Sequence, residues 1–267
     1  MAVEQHDETL GDLLRGWRRQ RRMSQLDLAL EAEISARHLS FVETGRSKPS
    51  REMVLRLATH LGVPMRGRNR LLLAAGYAPV YGQSTIDSPE LAPARQVMEE
   101  LLAAHEPYPA LVADRHSELV GANRSMSLFT DGAARWLLEP PVNTYRLGLH
   151  PEGMAPRIAN FPEWSRELLG ALRQAVAVTG DEWLAGLYKE VSSFPGVDTA
   201  ASESGGQGSI AVPLRFRTED AELAFFGCHT HFRSPLDVTV SELSIEAFYP
   251  ADPATRAWLN RPHLLMS

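Results

Sequence analysis

Apolar residues over the first eighty positions fall into a series of short helical stripes. Leu10, Leu13, Leu14 and Trp17 recur at i, i+3, i+4 and i+7, which predicts an amphipathic helix starting near Glu8. Ser24 with Asp27 three positions later is a capping-box opening for a second helix, and Ser35 caps a third that ends at Gly45. Pro49 and Ser50 open a fourth helix whose Met53, Val54, Leu57 and Leu61 point inward, and Gly62-Val63-Pro64 closes it. A fifth helix is expected from about Arg66 to Ala75. These five helices predict a compact all-α domain, assigned to residues 1–78.

The pattern then changes. Residues 76–94 are rich in Pro, Gly and small polar residues, so a linker is expected at 79–94. Beyond it, Ala110–Ala113 and Ser117–Val120 read as a hairpin around Asp114-Arg115-His116. Glu163 to Val178 is expected to be helical, with Leu168, Leu169, Leu172 and Val176 on one stripe, and Asp181 to Ser192 is expected to form another helix. Residues 202–208 read as a flexible break. Three antiparallel strands are expected after it, at Ile210–Phe216, Glu222–Phe232 and Val238–Phe248, with a phase slip near Ser241 that suggests a bulge. Residues 95–267 are therefore expected to form an α+β domain with an antiparallel meander. No internal repeat is found.

Charge sharpens this division. The chain carries −6 overall, but residues 1–78 hold 13 Lys and Arg against 9 Asp and Glu, a balance of +4. The remaining 14 basic and 24 acidic residues give −10. A basic head on an acidic body points to nucleic acid at the head. A single cysteine, Cys228, excludes a disulfide framework, and it reads as a buried small hydrophobe. With neither a signal segment nor a long apolar run, a cytoplasmic protein without membrane contact is expected.

In the head, Ala29 falls where the second helix must approach the third closely, and Leu28, Ile34, Leu39 and Val42 supply an apolar wedge. Gln25 at the start of the second helix suits a phosphate. Ser35, Ala36, Arg37, His38, Ser40 and Phe41 fall on the segment that would meet base edges, where Arg37 can pair bidentately with guanine. Arg46, Ser47 and Lys48 follow in a loop suited to backbone phosphates. For Arg18, Arg19, Arg21 and Arg22, solvation or an internal ion pair competes with phosphate contact. The string Ser-Gln-x3-Ala, then Ser-x3-Leu-Ser-x2-Glu-x-Gly-Arg-x2-Pro-Ser, then Leu-x2-Leu-x3-Leu-Gly-Val, resembles the Xre/phage-repressor helix-turn-helix family over residues 8–76. The resemblance implies phosphate contacts by Gln25, Arg46 and Lys48, base contacts from Ser35 to Ser40, and an Arg18–Glu43 pair inside the domain. Glu33 occupies a turn position often held by glycine, which suggests a looser or strained turn. Phe41 replaces a polar reader, and either meets a thymine methyl or packs. Proteins of this kind bind as homodimers to pseudo-palindromic double-stranded operators.

The second half lacks a nucleophile elbow, a metalloprotease helix, a phosphate loop and a dinucleotide fingerprint. His229 and His231 lie on one face of an expected strand, with Cys228 on the other; they suit a polar pocket or surface, and a metal site would need a third ligand. Arg146, His150 and Arg157 can receive a carboxylate or serve as surface ion-pair partners. Segments 109–123, 143–151, 160–164 and 234–243 resemble the MmyB-like ligand-binding domain, a PAS-like module that follows Xre-type heads in bacterial regulators. The resemblance implies a five-stranded sheet flanked by helices around a mostly apolar pocket for a fatty-acid-like effector, with no cofactor. Tyr108, Asn123, Arg146 and His229 are the candidates for its polar end. The expectation is a ligand-responsive transcription regulator and not an enzyme. Its rivals are a DNA-tethered enzyme using His229/His231 or His150, and an antitoxin-like interaction module.

Overall fold

A computed structural model describes residues 8–200, 211–233 and 235–261. The glycine-rich stretch 202–208 and the expected strand start at Ile210 lie outside them. The chain divides into two compact units, the first built on residues up to Gln83 and the second on most of the remainder. No described helix is long and apolar enough to cross a membrane.

The first unit contains α1 (Leu10–Gln20), α2 (Gln25–Glu31), α3 (Ala36–Glu43), α4 (Arg51–His60) and α5 (Met65–Ala74). The expected caps are present. Thr9 and Ser24 form capping boxes with Asp12 and Asp27, and the hydroxyls of Ser35 and Ser50 accept from the His38 and Met53 amides. The helix ends share one solution. After α3, the Arg46 amide donates back to Phe41 and Gly45 to Val42, a Schellman closure with Gly45 at φ 72°. After α2 the same closure falls on Glu33, at φ 53°, whose amide reaches Leu30 while that of Ile34 reaches Ala29. The turn is thus well formed and strained, because a Cβ is disfavoured in the left-handed region. Residues 80 and 81, where a linker is expected, are clasped by Asn69, whose Oδ1 accepts from both amides at 3.1 Å.

Leu14, Leu28, Leu39, Leu57, Leu61 and Leu72 are fully buried at the centre of this unit. One polar node lies among them. Glu43, buried at the end of α3, takes Arg18 of α1 through Nε–Oε1 at 2.9 Å and Nη2–Oε2 at 3.1 Å. Gln25 of α2 donates to the same Oε2 at 3.0 Å, and Arg15 donates to the Glu43 carbonyl at 2.9 Å. Gly11 permits this approach: a Cβ there would lie 2.0 Å from that carbonyl oxygen.

The second unit opens with α6 (Ala92–Ala104), which begins inside the expected linker, followed by β1 (Ala110–Ala113) and β2 (Leu119–Ala122). The hairpin turn is longer than expected: Asp114 Oδ1 accepts from the His116 and Glu118 amides, and Ser117 is left-handed. Next come α7 (Ser127–Thr130), α8 (Thr144–Leu149), α9 (Phe161–Thr179), α10 (Glu182–Ser192), β3 (Leu214–Arg217) and β4 (Glu222–His231). The expected strand Val238–Phe248 is corrected to α11 (Val238–Ser241) followed by β5 (Ser244–Pro250), before α12 (Pro253–Leu259). A helical turn resolves the phase slip, with the Glu242 amide donating to Thr239 and Leu243 to Val240. The one bulge in these pairings lies between Val112 and Ala113.

The sheet is antiparallel throughout, in the order β2-β1-β5-β4-β3, so the last strand sits between the first and the fourth. Both its faces are covered. Ala110, Val112, Leu243 and Ile245 pack with Met98 and Leu102 of α6, while Leu111, Phe216, Phe225 and Phe248 belong to the larger core on the other side. Phe129 of α7 anchors that side, edge-on to Phe216, Phe225 and Phe248 at centroid distances of 5.0, 5.3 and 5.0 Å.

Two outcomes follow for the head. Glu43→Ala strands the Arg18 guanidinium without its counter-charge and should cost about 3–5 kcal/mol, whereas Arg18→Met with Glu43→Leu should recover most of that loss. Urea denaturation of the full chain checks this, and a loss below about 1 kcal/mol in the single variant would show that the carboxylate does not hold the helices. Glu33→Gly should gain about 0.5–1 kcal/mol by removing the left-handed Cβ, read as a rise in Tm; a fall would refute strain at the turn.

Candidate functional site

Helices α2 and α3 meet through Leu28, Ala29, Leu39 and Val42, all buried, and this packing turns the opposite side of α3 outward. Arg37 is exposed there, with its guanidinium carbon 5.4 Å from the centre of the Phe41 ring one turn on. Phe41 is half-buried and forms a shelf for the arginine, a role the sequence did not suggest. Ser35, Ala36, His38 and Ser40 share this end of the helix. Arg46 and Lys48 are exposed in the following loop, with Ser47 between them. Lys48 Nζ lies 5.3 Å from the ring centre of Tyr77, whose hydroxyl donates to the Pro49 carbonyl at 2.9 Å. Arg37, Arg46 and Lys48 have no acidic partner among the described residues.

The other head arginines divide. Arg18 is the internal partner of Glu43. Arg21 caps α4 by donating to the Leu61 and Gly62 carbonyls at 3.0 and 3.1 Å, while Arg19 and Arg22 remain exposed. Gln25, expected at a phosphate, is turned inward to Glu43, which leaves one Nε2 hydrogen for another acceptor. Cations without carboxylate partners, carried on one helix end and the loop behind it, form a surface that attracts a polyanion.

In the second unit the expected polar residues do not converge. The Asn123 amide is committed to backbone, accepting from the Ala110 amide at 3.0 Å and donating to the Tyr108 carbonyl at 2.7 Å. Arg146 forms a two-pronged pair with Glu190 at 2.7 and 2.8 Å, which holds the Glu190 carboxyl below its usual range. Arg157 donates to the Phe129 carbonyl at 2.7 Å and lies over Phe216, and its burial lowers its pKa. His150 packs edge-on between Trp136 and Phe194 and accepts from the Glu152 amide. Tyr108 is half-buried beside the larger core.

His229 and His231 are exposed near the end of β4, where β3 no longer pairs with it; the His231 ring lies 3.1 Å from the Leu243 carbonyl. Cys228 is exposed as well, which corrects its assignment to the core. The physical reason is that Cys228 shares the α6 side of the sheet with Ala247 and Ala110, where the buried cluster under α6 takes residues from β1 and β5 but none from β4. No three His, Cys, Asp or Glu side chains among the described residues come together as metal ligands.

Glu246 on β5 lies opposite His229, Nδ1 to Oε1 3.8 Å, on the face of the larger core. Burial raises its carboxyl pKa, against the pull of His229. The hydroxyl of Tyr145 on α8 is pushed up by burial and by the Glu246 charge.

For the head, Arg37→Ala should cost about 1–3 kcal/mol on a preferred sequence and relax the preference at one base pair. Lys48→Ala should weaken every sequence alike and flatten the salt dependence by about one unit. Selection from random DNA followed by titration at several salt concentrations measures both, and unchanged binding by both variants would remove α3 as the reader.

Comparison with known families agrees with this division of the chain. A helix-turn-helix domain family matches residues 9–71. The family described as the MmyB-like transcription regulator ligand binding domain matches residues 94–261. No curated protein matches the chain. With that second match covering more than half of its length, the chain belongs to the MmyB-like transcription regulator ligand-binding-domain family and carries a helix-turn-helix DNA-binding domain ahead of it.

Proposed function

We propose that this regulator binds a pseudo-palindromic double-stranded operator as a homodimer, in the cytoplasm, and that a fatty-acid-like ligand in its second domain modulates that binding. The observation that carries the reading is the set of unneutralised cations, Arg37, Arg46 and Lys48, on a helix-turn-helix joined in one chain to a ligand-binding domain. A two-fold dimer would present two copies of α3 about 34 Å apart, one turn of the duplex. A ligand that binds one dimer geometry better than another biases that spacing, since only differential affinity moves such an equilibrium.

An apolar chain suits the second domain, where Leu119, Leu128, Trp164 and Phe248 pack against the larger core while remaining partly accessible. Of the four polar candidates, Tyr108 and His229 keep the role, because the Asn123 amide and the Arg146 guanidinium already have partners.

The test is a titration of selected operator DNA with and without the organic extract of protein purified from its own host. Coupling of the usual size changes operator affinity by about 5–150-fold. Unchanged affinity would refute the switch, and one chain bound per operator in light scattering would refute the dimer.

A further inference from the structure

The outward stripe of α3 and its closing residue runs Arg37, Ser40, Phe41 and Thr44, at i, i+3, i+4 and i+7. Leu39, Val42 and Glu43 are turned into the domain. Ser40 is short, and the Thr44 hydroxyl donates back to the Ser40 carbonyl at 2.7 Å. The two side chains of the stripe with reach are therefore Arg37 and Phe41. They are not independent, because the guanidinium carbon of Arg37 lies over the Phe41 ring, 5.4 Å from its centre. Among the described residues no carboxylate pairs with Arg37, so the ring is left to set the direction of the guanidinium.

Each of the two groups has its own match in the major groove. A guanidinium bonds bidentately to O6 and N7 of guanine. A phenyl ring offers no hydrogen bond, and the apolar group it can meet on a base edge is the C5-methyl of thymine. Base pairs rise by about 3.4 Å per step, so groups held 5.4 Å apart fall within about two steps of each other. A methyl group beside the bound guanine would then leave water against the ring and the arginine stem. A pyrimidine without that methyl would leave the ring facing a gap.

We propose that Arg37 and Phe41 act as one reader of a guanine with a C5-methylated pyrimidine next to it, Phe41 sensing the methyl group itself. Thymine and 5-methylcytosine carry the same methyl, so binding also responds to cytosine methylation wherever cytosine stands at that step. The inference rests on the reading of the head as a DNA binder and specifies what α3 reads.

Selection from random DNA should return thymine beside the guanine whose preference is lost in Arg37→Ala. Titrations of the full chain then compare duplexes carrying thymine, uracil, 5-methylcytosine or cytosine at that one position, each correctly paired. Removing the methyl should weaken wild-type binding about three- to five-fold, from thymine to uracil and from 5-methylcytosine to cytosine alike. Phe41→Ala should bring both ratios to about one. Equal wild-type binding of the thymine and uracil duplexes would overturn the proposal, as would a selected operator without thymine beside that guanine. Both results stand even if the variant fails to fold. Unchanged ratios in a Phe41→Ala chain that melts like the wild type would overturn the role of Phe41. A thymine effect without a 5-methylcytosine effect would overturn the methylation response. Failure of the wild type to bind any DNA would overturn the proposal together with the DNA-binding reading beneath it.

Discussion

The buried carboxylate of Glu43 joins three helices at one point. Arg18 comes from α1, Gln25 from α2, and Glu43 itself ends α3, while Arg15 holds the adjoining carbonyl. A charge withdrawn from water is tolerated only while its partners stay in place, and separating any of them costs several kcal/mol. The angle of α3 is therefore set by a polar lock set into a leucine core. Apolar packing alone would tolerate small rotations, but a two-pronged guanidinium–carboxylate pair does not. The exposed side of α3 inherits its orientation from this lock.

The same node explains how the head uses its basic residues. Arginines that meet carboxylates or carbonyls inside the domain, such as Arg15, Arg18 and Arg21, serve the fold. Those left without an acid, Arg37 and Arg46 with Lys48, lie on α3 and its trailing loop. Net charge alone does not separate the two groups, since both count equally toward the +4 of the head. Aromatic rings beside Arg37 and Lys48 restrict the side chains that would search for DNA, which lowers the entropy lost on contact.

The second domain meets a different constraint, a sheet buried on both faces. Helix α6 covers one side, and the Phe129 cluster with its neighbouring helices covers the other. Most side chains that alternate along β5 therefore point toward protein, while Tyr249 near its end stays exposed. Ile245 and Glu246 face opposite layers, so β5 gives one side a buried apolar residue and the other a partly accessible carboxyl group.

By itself the amino-acid sequence determined the elements whose causes are local. Capping hydroxyls, the i, i+3, i+4 stripes and Gly45 located the five head helices to within about two residues. Glu33 marked the turn as either looser or strained, and the structure gives the strained form, a left-handed residue at φ 53°. The Arg18–Glu43 pair was legible through family resemblance, whereas the inward turn of Gln25 needed three helices in place. In the second half, the apolar alternation predicted one long strand at Val238–Phe248, where the structure has a helical turn and then β5. A period of two cannot tell a half-covered strand from one covered on both sides. Tertiary structure alone decided that β5 runs between β1 and β4, that Asn123 and Arg146 serve the scaffold, and that Cys228 lies open. Those outcomes depend on contacts between residues far apart in the chain, and no local pattern encodes them.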